Sequence, residues 1–245
     1  MTKVGQDALS ALNSGGTEGS NNEFTSFKSG TTYIVKVLGT ADLMSFDSYG
    51  IYKKVNSFVA ENPSKKSKAG NPVENLTPWD KAWKYYADKS EQFGDEASTE
   101  AYKYKPKQRF AMGFFDLDSG EQIVIDVSKK QAQALHSAIM KNEKRIDTFA
   151  FELAKEGEGT STTVSITPML DDMSKEQEKH FHEAPEEFDT SKFDGILYEM
   201  SEDEQIEKLA EAGFDVSLIG LEVPEKRESV GSGEDGEITD DDLPF

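Results

Sequence analysis

One segment, residues 109–168, constrains the fold more than any other part of the chain. It opens with two β-prone runs, RFAMGFFD and QIVIDV, which flank the turn sequence LDSGE and predict a hairpin. Ser128 can then cap a helix whose apolar residues recur at helical spacing: Ala132, Leu135, Ile139 and Met140. Two more strands are predicted after this helix, TFAFELA and TTVSITP, joined by the turn KEGEGTS.

An earlier run, TYIVKVL at residues 32–38, predicts a further strand with Tyr33, Val35 and Val37 on one face. The chain up to residue 168 therefore contains about five short strands and one helix between the hairpin and the last pair. Short strands around a small core are typical of a partly open five-stranded barrel of the OB type. The predicted class is mainly β with helices, α+β.

A loop and helix insertion is expected at about residues 60–106. Thr77 can cap its helix, and Pro78 suits the first turn. The spacing of Trp79, Trp83 and Tyr86 places these rings on one helical face, which favours packing in a core over stacking on a ligand.

Charge divides the chain at residue 168. The whole chain carries 27 basic and 47 acidic residues, a formal net charge of −20. Residues 1–168 hold 21 basic and 22 acidic side chains, a net charge of −1, whereas residues 169–245 hold 6 and 25, a net charge of −19. Because fields act over about 10 Å at roughly 0.1 M salt, the bulk charge does not exclude nucleic acid as a partner of the first part. The asymmetry indicates an acidic tail on a separate working domain.

Composition predicts four regions along the chain. These are a flexible N-terminal segment at 1–23, the OB-type domain at 24–168, an acidic helical extension at 169–223 and a disordered acidic tail at 224–245. Whether the extension packs on the barrel stays open at this point.

Several classes of chemistry are excluded or disfavoured. The chain has no cysteine, which removes disulfides, thiolate catalysis and any zinc site that needs cysteine. The three histidines, His136, His180 and His182, are scattered, and we expect no metal, no cofactor and no enzymatic activity. No apolar run approaches the roughly 18 residues of a membrane span, so we expect a soluble, cytoplasmic protein without a membrane partner.

The end of the chain is the sharpest feature for function. An acidic run that finishes in an apolar terminus offers a partner diffuse negative charge, an aromatic ring and a free carboxylate. The residues predicted to bind a partner are Asp240, Asp241, Asp242, Leu243, Pro244 and Phe245. The alternative is a tail whose charge serves only to keep the protein in solution.

The ending DDDLPF closely resembles the acidic tip of bacterial-type single-stranded DNA-binding proteins. Residues 105–168, with KPKQRFAMGFFD, the hairpin, the helix and the strand pair around KEGEGTSTTVSITP, resemble the second half of the OB domain in the single-stranded DNA-binding proteins of tailed bacteriophages. Some phage members carry a structural zinc, and because this chain has no cysteine we expect none here.

This resemblance implies a non-enzymatic protein that coats single-stranded DNA in phage replication, recombination and repair, in the host cytoplasm. It also implies that the tail competes with DNA for a basic groove, and that the tip recruits a polymerase, a helicase or primase, or a recombinase. Deleting residues 229–245 is then expected to tighten binding to oligo-dT at low salt.

Basic and aromatic residues alternate between residues 49 and 115, as binding of single strands without sequence preference requires. The predicted DNA-binding residues are Tyr49, Tyr52, Lys53, Lys54, Lys65, Lys66, Lys81, Lys84, Tyr85, Tyr102, Lys103, Tyr104, Lys105, Lys107 and Arg109. If the strand of the hairpin extends back through YKYKPKQR, alternation places Tyr102 and Tyr104 on one face and the cations on the other. The alternative for this run is an ordinary solvated strand edge.

Two other functions are open to test. An acidic adaptor or DNA mimic that binds a basic protein would account for the tail, although it leaves the basic and aromatic residues unexplained. A metal-dependent nuclease would need carboxylates that converge in one pocket. The candidates around the hairpin are Asp116, Asp118, Glu121 and Asp126, and a turn composition already explains the first three.

Overall fold

The structure, a computed structural model, describes residues 23–224 as an α+β protein with one large sheet. The strands are β1 Thr32–Lys36, β2 Leu43–Ile51, β3 Val55–Ala60, β4 Lys65–Lys66, β5 Pro72–Glu74, β6 Lys107–Asp116, β7 Glu121–Ser128, β8 Phe151–Glu156, β9 Thr163–Pro168 and β10 Glu199–Met200. The α-helices are α1 Pro78–Ala87, α2 Glu96–Tyr104, α3 Lys129–Lys141, α4 Lys175–Glu183 and α5 Glu202–Glu211. Short 3-10 helices lie at Glu143–Arg145, Gly159–Ser161, Thr190–Phe193 and Val216–Ile219.

Eight strands form the large sheet in the order β10-β3-β2-β6-β1-β8-β9, and β7 pairs with β6. β6 makes the most extensive pairing in the sheet. It pairs with β7 from Arg109 to Asp116, and its other edge pairs first with β2 and then with β1. The sheet does not close into a barrel, since no described ladder joins β7 to β9. Instead, Thr25 N–H donates to the carbonyl of Val124 at 2.8 Å, so that the segment before β1 lies against β7. The α+β prediction is confirmed.

The predicted hairpin and helix are confirmed as β6, β7 and α3. A capping box fixes the start of α3, with Gln131 N–H donating to Ser128 Oγ and Ser128 N–H donating to Gln131 Oε1. Three members of the predicted apolar stripe are buried: Ala132, Leu135 and Ile139. Met140 is 41% exposed, because one residue beyond Ile139 turns the helix by about 100° and carries the side chain off the core face.

The first core lies between the sheet and α3. It contains the inward residues of β1, β6, β7 and β8 together with the buried face of α3, and includes Val35, Phe114, Ile125, Leu135 and Phe151. Val35 and Val37 belong to this cluster and Tyr33 packs against it, as the alternation of residues 32–38 predicts.

A second core joins the insertion to the acidic extension. Tyr49, Phe58 and Trp79 pack there against Leu209 and Phe214 from the extension. The rings form edge contacts, with the Phe58 and Trp79 centroids 5.2 Å apart and the Tyr104 and Phe214 centroids 5.4 Å apart. The extension therefore packs as part of the fold, because its apolar residues complete a core that the insertion cannot fill alone.

A third cluster lies where residues 169–197, called the covering segment below, cross the outer face of the sheet. Phe181, Phe188 and Ile196 are buried there against residues of β6 and β7. The Phe188 ring occupies the space above Gly113, where an added Cβ would lie 2.4 Å from its carbon atoms. Lys36 Nζ donates to the Phe181 carbonyl at 3.0 Å and lies 4.5 Å from the centre of its ring.

The run YKYKPKQR departs from the strand expectation. Its first part ends α2, and β6 begins only at Lys107. Asp95 starts this helix by accepting a hydrogen bond from Ser98 N–H at 2.6 Å, and Pro106 separates the helix from the strand. Residues two apart in a helix lie about 200° apart around its axis. Tyr102 and Tyr104 therefore do not share a face: Tyr104 is buried and Tyr102 is 65% exposed.

No helix within residues 23–224 is both long and apolar enough to cross a membrane.

Candidate nucleic-acid interface

The junction of α2 and β6 brings an exposed aromatic ring next to two cations. Tyr102 projects from the last turn of α2, and Lys107 Nζ lies 5.7 Å from the centre of its ring. Lys107 and Arg109 lie two residues apart on β6, so they share one face of the strand. An aromatic face with adjacent cations is the combination that binds a base and its phosphate.

The electrostatics of this junction favour an added anion. Partial burial and the nearby Arg109 guanidinium lower the pKa of Lys107. Burial and the same guanidinium lower the pKa of Lys155 on β8. Arg109 Nε donates to both carboxylate oxygens of Asp126, at 2.8 and 2.9 Å. Arg109 thus repels both Lys107 and Lys155 while it is itself paired with Asp126, and a bound phosphate would reduce this repulsion.

Two further lysines lie near this junction. Lys105 Nζ donates to Asn71 Oδ1 at 2.9 Å and lies 5.8 Å from the centre of the half-buried Trp83 ring. Lys66, on β4, forms an ion pair with Asp47 on β2, which lies opposite Gln108 in the ladder with β6. The junction surface is defined as Tyr102, Lys105, Lys107, Arg109 and Lys66.

The turn between β2 and β3 presents a second exposed ring. Tyr52 is 72% exposed, and Lys53 Nζ lies 5.5 Å from its centre. Lys53 adopts a left-handed backbone conformation with φ of 60°, which is unusual for a residue other than glycine and holds the tip in a tight turn. Lys54 Nζ reaches 3.5 Å from the Ala212 carbonyl in the extension.

Three of the predicted aromatic residues do not offer a free ring face. Tyr49 is buried, and its hydroxyl donates to Asp80 Oδ2 at 2.8 Å. Burial raises the pKa of Tyr49, and it also raises the pKa of Tyr104 to about 12. Tyr85 is half-buried, with its ring 6.0 Å from Phe214 and with Lys89 Nζ 3.7 Å from its centre. The expectation that Tyr49 and Tyr104 stack on bases is therefore wrong, because both rings are needed in the second core.

The remaining predicted cations are paired with carboxylates on the surface. These ion pairs are Lys65 with Glu74, Lys81 with Glu202, Lys84 with Asp88 and Lys103 with Glu100. Exposed pairs of this kind contribute little to stability and exchange readily with solvent or a ligand. The structure does not bring these four lysines together at the junction surface.

The carboxylates considered for a nuclease are used in other ways. Asp116 accepts hydrogen bonds from Ser119 Oγ and from the backbone of the β6–β7 turn, and Asp126 holds Arg109. Within residues 23–224, no three histidine or acidic side chains come together as metal ligands would. His180 is half-buried rather than exposed as its acidic surroundings suggest, with Nδ1 2.7 Å from the Leu117 carbonyl.

Lys155 is the residue at this site that sequence reasoning missed. It follows Phe151 and Leu153 on the inward face of β8, and its Nζ donates to the Phe27 carbonyl at 2.7 Å. Lys155 continues the alternate positions of two core residues on the same strand face. A charged side chain at such a position indicates that the core ends there, and this is the signal that the sequence contained. The predicted partner-binding residues Asp240 to Phe245 lie outside the described residues.

The chain was compared with protein-family models, with curated proteins and with solved structures, and it matches none of them.

Proposed function

We propose that this protein binds single-stranded DNA without strong sequence preference. It coats and protects the strand during phage DNA replication, recombination and repair. The observation that carries the proposal is the junction surface, where the exposed Tyr102 ring lies beside Lys107 and Arg109. A base would stack on Tyr102 while its phosphates contact the cations, and Lys155 adds positive potential behind them.

The strand order supports an OB-type assignment within this proposal. The continuous stretch of β1 and β2 counts as a first strand, followed by β6, β7 and β8. Their spatial order is then 4-1-2-3 with antiparallel pairing, the Greek-key order, and α3 lies between the third and fourth strands. A partly open five-stranded Greek-key barrel is the OB architecture, with β9 as the fifth strand.

The position of the junction surface supports the same proposal. OB proteins bind oligonucleotides on their second and third strands and on the loops between strands 1 and 2 and between strands 4 and 5. Tyr102 ends the insertion between the first and second strands, and Lys107 begins the second. The covering segment occupies the outer face of β6 and β7 from about residue 111 onward. Single-stranded DNA would therefore cross this face at the start of β6, where Lys107 and Arg109 lie.

The acidic residues divide into two groups within this proposal. Residues 169–224 contain 4 basic and 17 acidic side chains, a net charge of −13, and belong to the described fold. Residues 225–245 contain 2 and 8, a net charge of −6. The competitor for DNA is accordingly the shorter segment, and its DDDLPF tip is the handle for a polymerase, a helicase or primase, or a recombinase.

Fluorescence anisotropy with labelled oligo-dT tests the proposal. Tyr102→Ala should weaken binding about tenfold, because stacking on one aromatic ring contributes about 1–3 kcal/mol per base. Lys107→Ala should weaken binding and make the log–log salt slope shallower by about 0.7, the value for one phosphate contact on a single strand.

Matched control variants come from other exposed sites. Tyr198 is 60% exposed on the extension, and Lys130 is exposed on α3. Tyr198→Ala and Lys130→Ala should leave the affinity for oligo-dT unchanged. Absence of binding by the full chain at low salt would reject the proposal and favour an acidic adaptor that binds a basic protein.

A further inference from the structure

Phe93 is the most exposed large apolar side chain among the described residues, and an ordered loop holds it in solvent. On one side, Gln92 N–H donates to Asp95 Oδ2 at 3.1 Å. On the other side, Gly94 N–H donates to Ser98 Oγ at 2.8 Å. Both neighbours of Phe93 are therefore bound to the first turn of α2. An apolar ring fixed in water favours association, because covering it releases the water around it.

The surface beside Phe93 is acidic. A shallow groove of about 570 Å³ lies against the first turn of α2, and the exposed residues Glu91 and Glu96 line it. Neither carboxylate forms an ion pair within residues 23–224. The lysine of this groove, Lys89, is held with its Nζ 3.7 Å from the centre of the Tyr85 ring. Free carboxylates repel the phosphates of DNA and attract cations, so Phe93 fits a protein partner with a basic surface.

The exposed face of α2 is complementary to itself when two copies lie antiparallel. Glu96 begins this face, Thr99 lies in its middle and Tyr102 ends it. Lys107, beside Tyr102, is exposed and has no carboxylate partner in the part of the chain that the structure describes. With a two-fold axis near Thr99, the start of one helix lies beside the end of the other. Phe93 of one copy then meets Tyr102 of the other, and the free carboxylates approach Lys107.

We propose that two copies of this chain form a symmetric dimer through α2, in which the Phe93 ring of each copy covers the junction surface of the other. Each contact occurs twice, as in the two-fold interfaces that are commonest among oligomers. One helix and one loop from each copy make a small contact, in the class below about 1,200 Å² that is typical of transient complexes. The dimer is therefore in equilibrium with the monomer.

The dimer and single-stranded DNA exclude each other, because both need the Tyr102 ring and Lys107. This part of the inference rests on the proposed function. Free protein at high concentration then keeps its junction surface covered by a second copy. Single-stranded DNA binds the monomer and draws the equilibrium away from the dimer by mass action.

Sedimentation equilibrium of the full chain at low salt, without DNA, tests the dimer. The average mass should rise from that of the monomer towards that of the dimer as protein concentration increases. Phe93→Ser should weaken self-association about tenfold or more, because an aromatic residue at the centre of a contact carries much of its energy. Leu170→Ser is the matched control, since Leu170 is 95% exposed elsewhere on the surface, and it should leave self-association unchanged.

A crosslink tests the position of the axis. Because the chain has no cysteine, Thr99→Cys places a single thiol in each copy next to the two-fold axis. Oxidation should join two copies, since a disulfide needs Cα atoms that approach to about 4.4–6.8 Å. Ser137→Cys, on the exposed side of α3, should stay unlinked. Short oligo-dT added before oxidation should prevent the Thr99→Cys crosslink.

Each contrary result identifies what has failed. A chain that stays monomeric at every concentration, or a dimer that Phe93→Ser leaves unchanged, would overturn the α2 dimer and leave the proposed function standing. Oligo-dT that binds while the Thr99→Cys crosslink still forms would overturn the mutual exclusion. Failure of the dilute, monomeric chain to bind oligo-dT would overturn the proposed function and leave the dimer standing.

Discussion

At the scale of single residues, Gly113 determines how the covering segment fits the sheet. It lies in the middle of β6, and its amide N–H donates to the Asp42 carbonyl at 2.8 Å. The bare backbone at this position leaves room for the Phe188 ring, which is 6% exposed. A side chain of any size would enter the space of the ring, because an added Cβ would lie 2.4 Å from it.

Gly113→Ala should therefore lower the free energy of unfolding by about 1–3 kcal/mol, the usual range for overpacking a core. Urea titration measures this change. In a Phe188→Ala background the same substitution should have a much smaller effect, because the ring that it meets is gone. If the changes in the free energy of unfolding caused by Gly113→Ala and Phe188→Ala simply add, the Phe188 ring does not rest on Gly113.

At the scale of secondary structure, α2 is the element on which the junction surface depends. Asp95 holds its first turn with hydrogen bonds from the backbone N–H groups of Ser98, Gln92 and Glu91 and from the Ser90 hydroxyl. These bonds favour the charged carboxylate and lower the pKa of Asp95. At the other end of α2, Tyr104 is anchored in the second core and Tyr102 points to solvent.

Asp95→Ala should lower stability and weaken oligo-dT binding together, because α2 carries Tyr102. The pKa of Asp95 is lower in the folded state than its ordinary 3.8, so its contribution to stability is fully present above about pH 5 and declines as pH falls below 3.8. Urea denaturation of the unsubstituted chain and of Asp95→Ala, followed from pH 7 to pH 3, checks this sign. The difference between their free energies of unfolding should shrink as pH falls.

A matched control for this helix cap is Asp189→Ala. Asp189 makes a similar contact, accepting from Ser191 N–H at 3.0 Å in the covering segment, and its pKa is also lowered by that hydrogen bonding. The stability that Asp189→Ala loses relative to the unsubstituted chain should likewise shrink as pH falls, without loss of oligo-dT affinity. A loss of affinity equal to that of Asp95→Ala would contradict the role assigned to α2.

At the scale of the whole molecule, the extension belongs to the folded unit. It supplies buried apolar side chains to two of the three clusters: Phe181, Phe188, Ile196, Met200, Ile206, Leu209, Ala212, Phe214 and Val216. Burying one large apolar side chain contributes about 1.5–3 kcal/mol, and a whole domain is stable by only about 5–15 kcal/mol. The fold therefore cannot lose this segment and keep the insertion in place.

Two deletions should separate the acidic tail from the acidic extension. Removing residues 229–245 should leave the melting temperature unchanged and tighten oligo-dT binding at low salt, because this segment is acidic and the described cores do not contain it. Removing residues 169–245 should abolish cooperative melting. Calorimetry and anisotropy measure the two effects.

Added salt provides the control for the shorter deletion. Its gain in affinity should shrink as salt rises, since screening weakens competition between the tail and DNA. Unchanged or weaker oligo-dT binding at low salt would count against competition by the tail. Cooperative melting of the chain that ends at residue 168 would contradict the shared second core.

Local sequence signals were sufficient where neighbouring residues decide the conformation. The hairpin of β6 and β7, the Ser128 cap of α3, the Thr77 cap of α1 and the α+β class all follow from turn chemistry, capping and periodicity within a few residues. The separation of charge at residue 168 is likewise a property of the sequence alone.

Long-range packing decided what local signals leave open. YKYKPKQR alternates like a strand, yet Asp95 starts a helix before it and the second core takes the Tyr104 ring. The same core buries Tyr49 and binds the acidic extension, a packing that composition left open. Burial of apolar area depends on residues more than a hundred positions apart, such as Trp79 and Leu209, and no local pattern records which of them will meet. The sequence by itself thus determined the hairpin, the caps of α1 and α3 and the division of charge, because neighbouring residues decide them. The tertiary structure decided the conformation of YKYKPKQR and which of the aromatic and basic residues face solvent, because these depend on long-range packing.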